Sequence, residues 1–403
     1  MENFIYYNPT KIIFGKDTEK TVGSEVKKYG SKVLVHRYGE DYEKKSGLLG
    51  RVIKSLKDES LEIFDLTGVK PNPRLSLVKE GIKLVKEKDI DFILALGGGS
   101  AIDSSKAIAI GVPYEGDVWD FFSGKAEVKK TLPVGVILTI PAAGSESSGS
   151  AVITNEDGWY KRSIDGVDII RPKFAIMNPE LTFTLPPYQT ASGGCDIMSH
   201  VMERYFSVTS HVDLTDKLCE GILKTVIKNL PIVLKEPENY DARAEIMWAG
   251  SIAHNDLVGT GRVPAWACHK IEHELGGIYD VAHGAGLTAI IPSWMRYVYK
   301  ERLNMFIKFA VRVWDVEHNF DEPERTALEG INRLGKFFKD VGMPVTLGEL
   351  GIKDDRYEEL ATKCVEGGPV GWFRPLDLQD VINVLKMARY DLLKRQSHPN
   401  DRI

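Results

Sequence analysis

Acidic and imidazole side chains in the second half of the chain are spaced as metal ligands often are. Asp196 and His200 stand four residues apart in a run with helical character, and His269 and His273 repeat that spacing. Side chains four residues apart project from the same face of an α-helix. His283 follows closely in sequence. One carboxylate with two or three imidazoles is a donor set for a divalent transition metal, Fe²⁺ or Zn²⁺.

Other interpretations of these residues remain open at this point. A single Asp–His pair is more often a hydrogen bond than a ligand set, but two pairs together with His283 favour a metal site. Spacing alone favours His269 and His273 as the second pair of ligands, yet the cluster holds one imidazole more than a site with an open position needs. Cys195 and Cys268 are neighbours of candidate ligands and project about 100° away from them on a helix, so we interpret both as packing residues.

A second candidate site is a run of glycines between a strand pattern and a helix pattern. Gly97, Gly98, Gly99 and Ser100 follow an apolar run, and residues 101–109 have helical character. Glycines let the backbone approach a ligand closely, and the first N–H groups of a helix are unpaired donors, so this sequence predicts a phosphate-sized anion site. A tight turn capped by Ser100 is the alternative. The run is not GxGxxG, so the usual dinucleotide fingerprint is absent.

A second loop of small residues, 139–150, follows another strand pattern. Alone it is typical of a surface turn. Two such loops at the carboxyl ends of neighbouring strands are typical of a doubly wound sheet that binds a nucleotide. The pair of loops therefore favours a bound nucleotide.

The elements that position these loops change in character along the chain. Strand patterns at 32–36, 91–96 and 134–139, with a hairpin around 151–154, alternate with helix patterns at 44–58 and 76–88, which predicts a largely parallel sheet. Helix patterns then take over, at 191–206, 214–229, 242–256, 324–341 and 378–394, and the chain is expected to break at Gly276–Gly277. We predict a Rossmann-like α/β domain over 1–184 and an all-helical domain over 185–403.

Composition excludes several classes of protein. The 403 residues are 43% hydrophobic and carry a net charge of −5 with acids and bases interleaved, which argues against nucleic-acid binding and against a basic membrane patch. The longest apolar run is well short of a membrane span, and the first residues do not resemble a secretory signal. Four cysteines without CxxC spacing predict reduced thiols in a cytoplasmic protein.

These motifs together resemble a known family. The segments 194–203 and 269–284, which hold the candidate metal ligands, and the glycine run resemble the iron-containing (group III) alcohol dehydrogenases, in particular their butanol dehydrogenase branch. Further matching segments extend the resemblance over nearly the whole chain: 4–15, 69–73, 111–120, 171–176 and 367–371.

The resemblance implies a site as well as a fold. The implied fold is the two-domain fold of dehydroquinate synthase-like proteins, with NAD(P) and a metal between an α/β half and a helical half. The implied metal ligands are Asp196, His200, His269 and His283, which leaves His273 off the metal and near nicotinamide and substrate, where it would relay a proton. The implied cofactor contacts are Gly39, Asn72, Gly97, Gly98, Gly99, Ser100, Asp103, Thr139, Ser148, Ser150 and Lys161. Pairing into homodimers near the amino-terminal strands is also implied.

One stretch departs from the NADPH-preferring members of that branch, which carry a Gly-Gly-Gly-Ser turn. Here residues 38–42 read Tyr-Gly-Glu-Asp-Tyr. A carboxylate from Glu40 or Asp41 would bind a ribose hydroxyl and repel a 2′-phosphate, which favours NAD over NADP. If these carboxylates face solvent, salt screens their repulsion of a 2′-phosphate. Lys44 and Lys45 lie close by in the sequence and would attract that phosphate.

The resulting hypothesis is a metal-dependent alcohol dehydrogenase or aldehyde reductase. It would act on short to medium-chain primary alcohols and aldehydes such as butanol and butanal, in a pocket that includes Trp266 and either Phe122 or Trp159. A lyase related to dehydroquinate synthase is one alternative. It needs several basic residues near the metal, and only Arg204, Arg262 and Lys270 are evident. A non-catalytic protein that binds nucleotide and metal is the other alternative.

Overall fold

The computed structural model describes residues 1–39 and 46–390, and a parallel sheet organises the first part of the chain. The strands are β1 (Lys11–Phe14), β2 (Lys32–Arg37), β3 (Glu62–Leu66), β4 (Phe92–Gly97), β5 (Val134–Leu138), β6 (Ala151–Asn155), β7 (Tyr160–Ile164) and β8 (Phe174–Met177). Six of them form one sheet in the order β1-β8-β5-β4-β2-β3, and every neighbouring pair is parallel. Strands β6 and β7 form a separate antiparallel hairpin.

Helices connect and cover these strands, and after β8 the described chain contains helices and no further strands of the sheet. In the first part they are α1 (Val22–Val26), α2 (Leu48–Asp58), α3 (Leu75–Lys88), α4 (Gly99–Gly111) and α5 (Trp119–Phe122). After β8 they are α6 (Pro187–Tyr205), α7 (Asp213–Lys235), α8 (Tyr240–His254), α9 (Ala267–Tyr279), α10 (His283–Val298), α11 (Leu303–Trp314), α12 (Pro323–Asp340), α13 (Tyr357–Cys364) and α14 (Leu378–Ala388). In the ranges 1–39 and 46–390, no helix is both long enough and apolar enough to cross a membrane.

Apolar side chains cover both faces of the parallel sheet. Successive residues of a strand point to opposite faces, and the two faces belong to different core clusters. Leu34 and Ile93 lie in one cluster with residues of α3 and α4. Val35 and Leu94 lie in the other with residues of α1 and α2. Burial on both faces explains why these strands read as continuous apolar runs rather than as alternating patterns.

The chain divides into two compact units, and it crosses between them more than once. The sheet unit comprises Tyr6–Pro186 and Lys235–Asp256, and the helical unit comprises Met1–Ile5, Pro187–Leu234 and the chain from Leu257 onward. Helix α8 therefore belongs with the sheet, where its Met247 packs in a core cluster with residues of β4, β5 and β8. A single cut at residue 184 does not describe this return of the chain.

The predicted fold class is confirmed: a parallel α/β unit is followed by a helical one. The predicted strands and helices form within a few residues of their expected bounds, although residues 44–45 and 391–394 of two predicted helices lie outside the described residues. The expected break at Gly276–Gly277 is wrong. Helix α9 runs through both glycines to Tyr279, and the chain turns at Asp280, whose φ of 54° is left-handed.

Candidate metal and cofactor sites

Two helices of the helical unit bring candidate metal ligands together. Asp196 and His200 lie on α6, and His269 lies in the first turn of α9. One possible ligand atom from each of the three lies within 4.8 Å of the other two, and all three residues are buried. Buried charge and buried imidazoles require partners. The donor set, one carboxylate and two imidazoles, suits Fe²⁺ or Zn²⁺.

His283 lies beside this group, at the start of α10. Its Nε2 is 3.7 Å from Oδ1 of Asp196, and its ring centroid is 5.3 Å from that of His269. Gly284 allows this approach of α10 to α6, because a Cβ at residue 284 would lie 2.1 Å from the backbone oxygen of Ser192. The fourth implied ligand is therefore near the other three, although it is not part of the tightest group.

Each of the three imidazoles presents one nitrogen to an oxygen of the protein. Nδ1 of His200 is 3.0 Å from the carbonyl oxygen of Asp196, Nδ1 of His269 is 3.1 Å from Oε1 of Glu203, and Nδ1 of His283 contacts Oε2 of Glu272. Carbonyl and carboxylate oxygens accept hydrogen bonds, so Nδ1 carries the proton and Nε2 keeps its lone pair. Imidazoles bound to metals are usually held in this way. The residues present therefore fit a divalent metal.

The two glutamates behind the imidazoles were not predicted from the sequence. A signal for them exists: each lies three residues after a candidate histidine, His200 to Glu203 and His269 to Glu272. The pairing is nevertheless crossed, since Glu203 contacts His269 and Glu272 contacts His283. Burial raises the pKa of Glu203 to about 7, opposed by hydrogen bonds from backbone N–H groups at the start of α9.

His273 lies outside the group of three ligands. It is buried on α9, and its ring centroid is 6.2 Å from that of His283. Spacing alone favoured His269 and His273 as the second ligand pair. The group of three contains His269 but not His273.

Neighbouring thiols and guanidinium groups have other roles in the helical unit. Cys195 and Cys268 are buried, and burial raises the pKa of both thiols, as expected of packing residues. No disulfide joins any of the four cysteines. Arg204 donates to the carbonyl oxygen of His200 and Arg262 to Asp216. Because these two buried guanidinium groups are engaged within the protein, the lyase alternative loses two of its three candidate basic residues.

In the sheet unit, the predicted cofactor residues cluster at one edge of the sheet. The chain proceeds from β2 outward to β3 in one direction and from β4 outward to β5 in the other, so the strand order reverses between β2 and β4. Ligands of open α/β sheets bind outside the carboxyl ends of the strands at such a reversal. Gly39 follows β2, the glycine run begins with Gly97 at the end of β4, and Thr139 follows β5.

The glycines are required by close packing at this edge. A Cβ at Gly97 would lie 2.8 Å from the ring of Tyr38, and a Cβ at Gly98 would lie 2.8 Å from Cβ of Ile140. Helix α4 begins at Gly99, directly after this contact. The amino end of a thirteen-residue helix is thereby held against the second loop, with its first N–H groups at the carboxyl edge of the sheet.

A buried lysine, also not predicted, organises the second loop. Lys106 is fully buried on α4, and its Nζ donates to the carbonyl oxygens of Ser145, Ser148 and Ser150 at 2.7, 2.9 and 2.8 Å. Burial lowers the pKa of Lys106 to about 8. Asp103, predicted as a cofactor contact, accepts from the hydroxyl of Ser145 and the backbone N–H of Val152. The signal available in the sequence was a lysine in a helix whose other residues, apart from Asp103, are small or apolar.

Other predicted cofactor residues lie in the sheet unit as well. Asn72 is buried with a left-handed φ of 53°, and Gly39 has a φ of 86°. Ser148 and Lys161 are buried, the latter on β7. Glu40, Asp41, Lys44 and Lys45, on which the choice between NAD and NADP depends, lie outside the described residues.

The aromatic residues suggested for a substrate pocket have different surroundings. Trp266 lies directly before α9 with a left-handed φ of 55°, and its ring centroid is 5.1 Å from that of His269. Phe122 is buried in the core of the sheet unit and stacks on Trp119, a location that argues against substrate contact. Trp159 is 44% exposed and lies under the guanidinium of Arg74.

Comparison with known proteins finds the same family along the whole chain. Residues 9–179 match the family model described as iron-containing alcohol dehydrogenase, and residues 190–389 match that of the carboxyl-terminal region of the Fe-containing alcohol dehydrogenase family. The chain is 42% identical to NADH-dependent butanol dehydrogenase A of Clostridium acetobutylicum, over 96% of this chain and 100% of that protein. It is 34% identical to the NADPH-dependent aldehyde reductase YqhD of Escherichia coli, over 91% of this chain and 94% of that protein.

Solved structures give the same result. The crystal structure of NADH-dependent butanol dehydrogenase A from Thermotoga maritima superposes with a TM-score of 0.93 at 38% identity, covering 97% of this chain and 99% of the other. Full-length similarity in sequence and in structure leads to one conclusion: this chain belongs to the iron-containing alcohol dehydrogenase family.

Proposed function

We propose that this protein is a metal-dependent alcohol dehydrogenase and aldehyde reductase that transfers hydride between a nicotinamide cofactor and short to medium-chain primary alcohols or aldehydes, with butanol and butanal as the reference pair. The observation that carries the proposal is the buried group of Asp196, His200 and His269. Relatives named as NADH-dependent butanol dehydrogenases support the substrate class.

The proposed metal ligands are Asp196, His200, His269 and His283. Three imidazoles and one carboxylate would hold a divalent ion, and the family favours Fe²⁺ over Zn²⁺. When bound, the ion would supply Lewis-acid polarisation of the substrate oxygen, and the nicotinamide would supply or accept hydride. The helical unit contributes burial, which strengthens electrostatic interactions in the site.

His273 is the proposed proton carrier. Imidazoles exchange protons near neutral pH, which suits transfer to or from an alcohol oxygen. Its location on α9, one turn from His269 and apart from the three-ligand group, supports a role other than metal binding. In the reducing direction it would donate a proton to the oxygen of the product.

NAD(H) is the proposed cofactor. The contacts proposed for it are the residues implied by the family: Gly39, Asn72, Gly97, Gly98, Gly99, Ser100, Asp103, Thr139, Ser148, Ser150 and Lys161. Their support is the position of the loops at the carboxyl edge of the sheet where the strand order reverses. Four relatives named as NADH-dependent support NAD over NADP.

Two further properties belong to the proposal. A homodimer is supported by β1, an edge strand of the sheet, and by exposed apolar side chains that precede it, including Phe4, Ile5 and Tyr7. A reducing, cytoplasmic location is supported by four cysteines without a disulfide. Sedimentation velocity tests the dimer directly, and a single monomeric species at micromolar concentration would contradict it.

The central experiment measures oxidation of NADH by butanal with anaerobically purified protein. We expect activity that is lost on chelation and restored by Fe²⁺ or Zn²⁺, with a higher kcat/KM for NADH than for NADPH. Net consumption of NADH also separates this reaction from the lyase alternative, in which the cofactor is regenerated. Absence of metal-dependent turnover with any simple aldehyde or alcohol would overturn the proposal.

A further inference from the structure

Two buried glutamates lie behind the proposed metal ligands without belonging to the ligand set. Glu203 is 2% exposed and Glu272 is 0% exposed. Glu203 accepts from Nδ1 of His269, and Glu272 contacts Nδ1 of His283. The corresponding nitrogen of His200 lies 3.0 Å from the backbone carbonyl oxygen of Asp196 and 3.1 Å from Oδ1 of Asp196, which is itself a proposed ligand. Two of the three imidazoles therefore have a carboxylate partner that lies outside the proposed ligand set.

We propose that Glu203 and Glu272 are positioning residues that increase the affinity of the site for its metal. Each carboxylate would fix the proton on Nδ1, orient the ring and make Nε2 a more basic donor, and such partners are worth roughly 10- to 100-fold in metal affinity. The inference rests on the proposed function, because it takes the four-ligand site as its starting point.

The packing around Glu272 is a second observation on the position of its carboxylate. Gly286 lies one turn after His283 on α10, and a Cβ at residue 286 would lie 2.8 Å from Cγ and 3.0 Å from Oε1 of Glu272. A side chain at residue 286 would therefore displace the Glu272 side chain from its present position beside His283. The close fit holds the carboxylate and the imidazole in one arrangement.

Glu203 combines this role with a second one. Its Oε1 also accepts from the backbone N–H of His269 at 2.9 Å. Backbone N–H groups in the first turn of a helix need such an acceptor. Removing Glu203 would disturb the start of α9 as well as the ligand, so Glu272 is the cleaner residue to test.

The test uses three variants of the full chain. Glu272→Gln keeps the shape of the side chain and an acceptor oxygen but removes the charge. Gly286→Ala keeps the charge but displaces the carboxylate. Glu274→Gln is the matched control, since Glu274 is another buried glutamate of α9 and lies 3.9 Å from Nζ of Lys363.

The measurement is the dissociation constant of Co²⁺ from metal-free protein, by competition with a chelator, together with the visible absorption of bound Co²⁺. We expect affinity to fall roughly 10- to 100-fold in Glu272→Gln and to fall in Gly286→Ala with an altered spectrum. Glu274→Gln should match the wild type. Thermal unfolding of the metal-free forms checks that each variant folds, and if Glu272→Gln does not fold, Gly286→Ala decides the question.

Two failures are distinguishable. If the wild type binds Co²⁺ tightly and both Glu272→Gln and Gly286→Ala bind it equally well with the same spectrum, the positioning role is wrong and the metal site stands. If the wild type itself binds no Co²⁺ or Fe²⁺, the proposed function fails together with this inference.

Discussion

The two candidate sites hold buried polar groups in contrasting ways. In the sheet unit, carbonyl oxygens of the second loop surround an ammonium group that the chain supplies from α4, with Lys106 within 3.0 Å of three of them. In the helical unit, Asp196, His200 and His269 converge where an added metal ion would fit. One site is organised by a cation of the chain itself, and the other has the donor set for an external cation.

This difference has a consequence for how each site responds to change. The sheet site should keep its shape when metal is removed, because the cation that orders its loop is the side chain of Lys106. The helical site should lose both function and local stability on chelation. The buried ligand atoms that the ion would hold together then lack the partner that offsets their burial. Perturbations aimed at one site should therefore leave the other intact.

The largest effect is expected from removal of the anionic ligand. Asp196→Ala should lose bound metal and reduce kcat/KM with butanal by roughly 10³-fold or more, since Lewis-acid stabilisation is worth several kcal/mol. NADH binding, followed by fluorescence of the reduced nicotinamide, should remain close to that of the wild type. Metal content is measured by elemental analysis of anaerobically purified protein.

The control for this variant is Asp213→Ala, an exposed aspartate of α7 paired with Lys217. It should retain both metal and turnover. If Asp196→Ala keeps a full complement of metal, the carboxylate is not a ligand. If it loses NADH binding to the same extent as turnover, the two sites are not independent.

A smaller effect is expected from removal of the internal cation. Lys106→Met would leave several buried carbonyl oxygens without their donor, at a cost of about 3 kcal/mol in the free energy of unfolding. A disordered second loop should raise the KM for NADH roughly tenfold, with metal content unchanged. Urea unfolding and steady-state kinetics at saturating aldehyde measure the two effects. An unchanged KM for NADH in a folded variant would show that Lys106 does not organise the cofactor site.

The sheet site should also weaken in acid through a buried histidine. His36 on β2 places Nε2 2.8 Å from the hydroxyl of Ser104 on α4 and Nδ1 3.1 Å from the carbonyl oxygen of Leu66. Burial lowers the pKa of His36 from 6.5 to about 4. The folded imidazole thus stays neutral where the unfolded one takes a proton. The contribution of His36 to the free energy of unfolding is therefore nearly constant above pH 6.5 and falls as pH drops toward 4.

The expected loss attributable to His36 is about 2 kcal/mol in the free energy of unfolding between pH 7 and pH 5. Unfolding by urea at both pH values measures it, with His36→Gln for comparison because an amide does not titrate. The variant should start from a lower stability but change less between the two pH values. An equal change in both proteins would assign the acid sensitivity to other groups.

The two sites also differ in how far their sequence specified them. The spacing of Asp196 and His200 predicted one ligand pair, because two residues four apart on a helix need no tertiary information. The approach of His283 to that pair depends on Gly284 and its contact with Ser192, which only the folded packing of α6 and α10 provides. For that reason the resemblance to the family, and not the spacing, implied that His283 is a metal ligand.

Long-range partners were the part that sequence patterns did not predict. Glu203 and Glu272 each lie three residues after a histidine of the same helix but contact a histidine of another helix, so local spacing points to the wrong partner. Helix α8 was predicted as a helix but not as part of the sheet unit, since its amphipathic pattern does not say which core it covers. In the structure, His254 at its end lies 2.7 Å from the carbonyl oxygen of Ala143 in the second loop.

The smallest effect concerns the cysteines beside the proposed metal ligands. Cys268→Ala removes a buried thiol whose pKa is raised by burial, so the loss is one of packing. We expect a loss of about 1 kcal/mol in the free energy of unfolding and an unchanged affinity for Co²⁺. Because a thiolate ligand gives bound Co²⁺ an intense charge-transfer absorption, the wild-type and variant spectra should be alike and lack that band. A band present in the wild type and absent in Cys268→Ala would make the thiol a ligand and would give the helical unit a softer donor set than one carboxylate and three imidazoles.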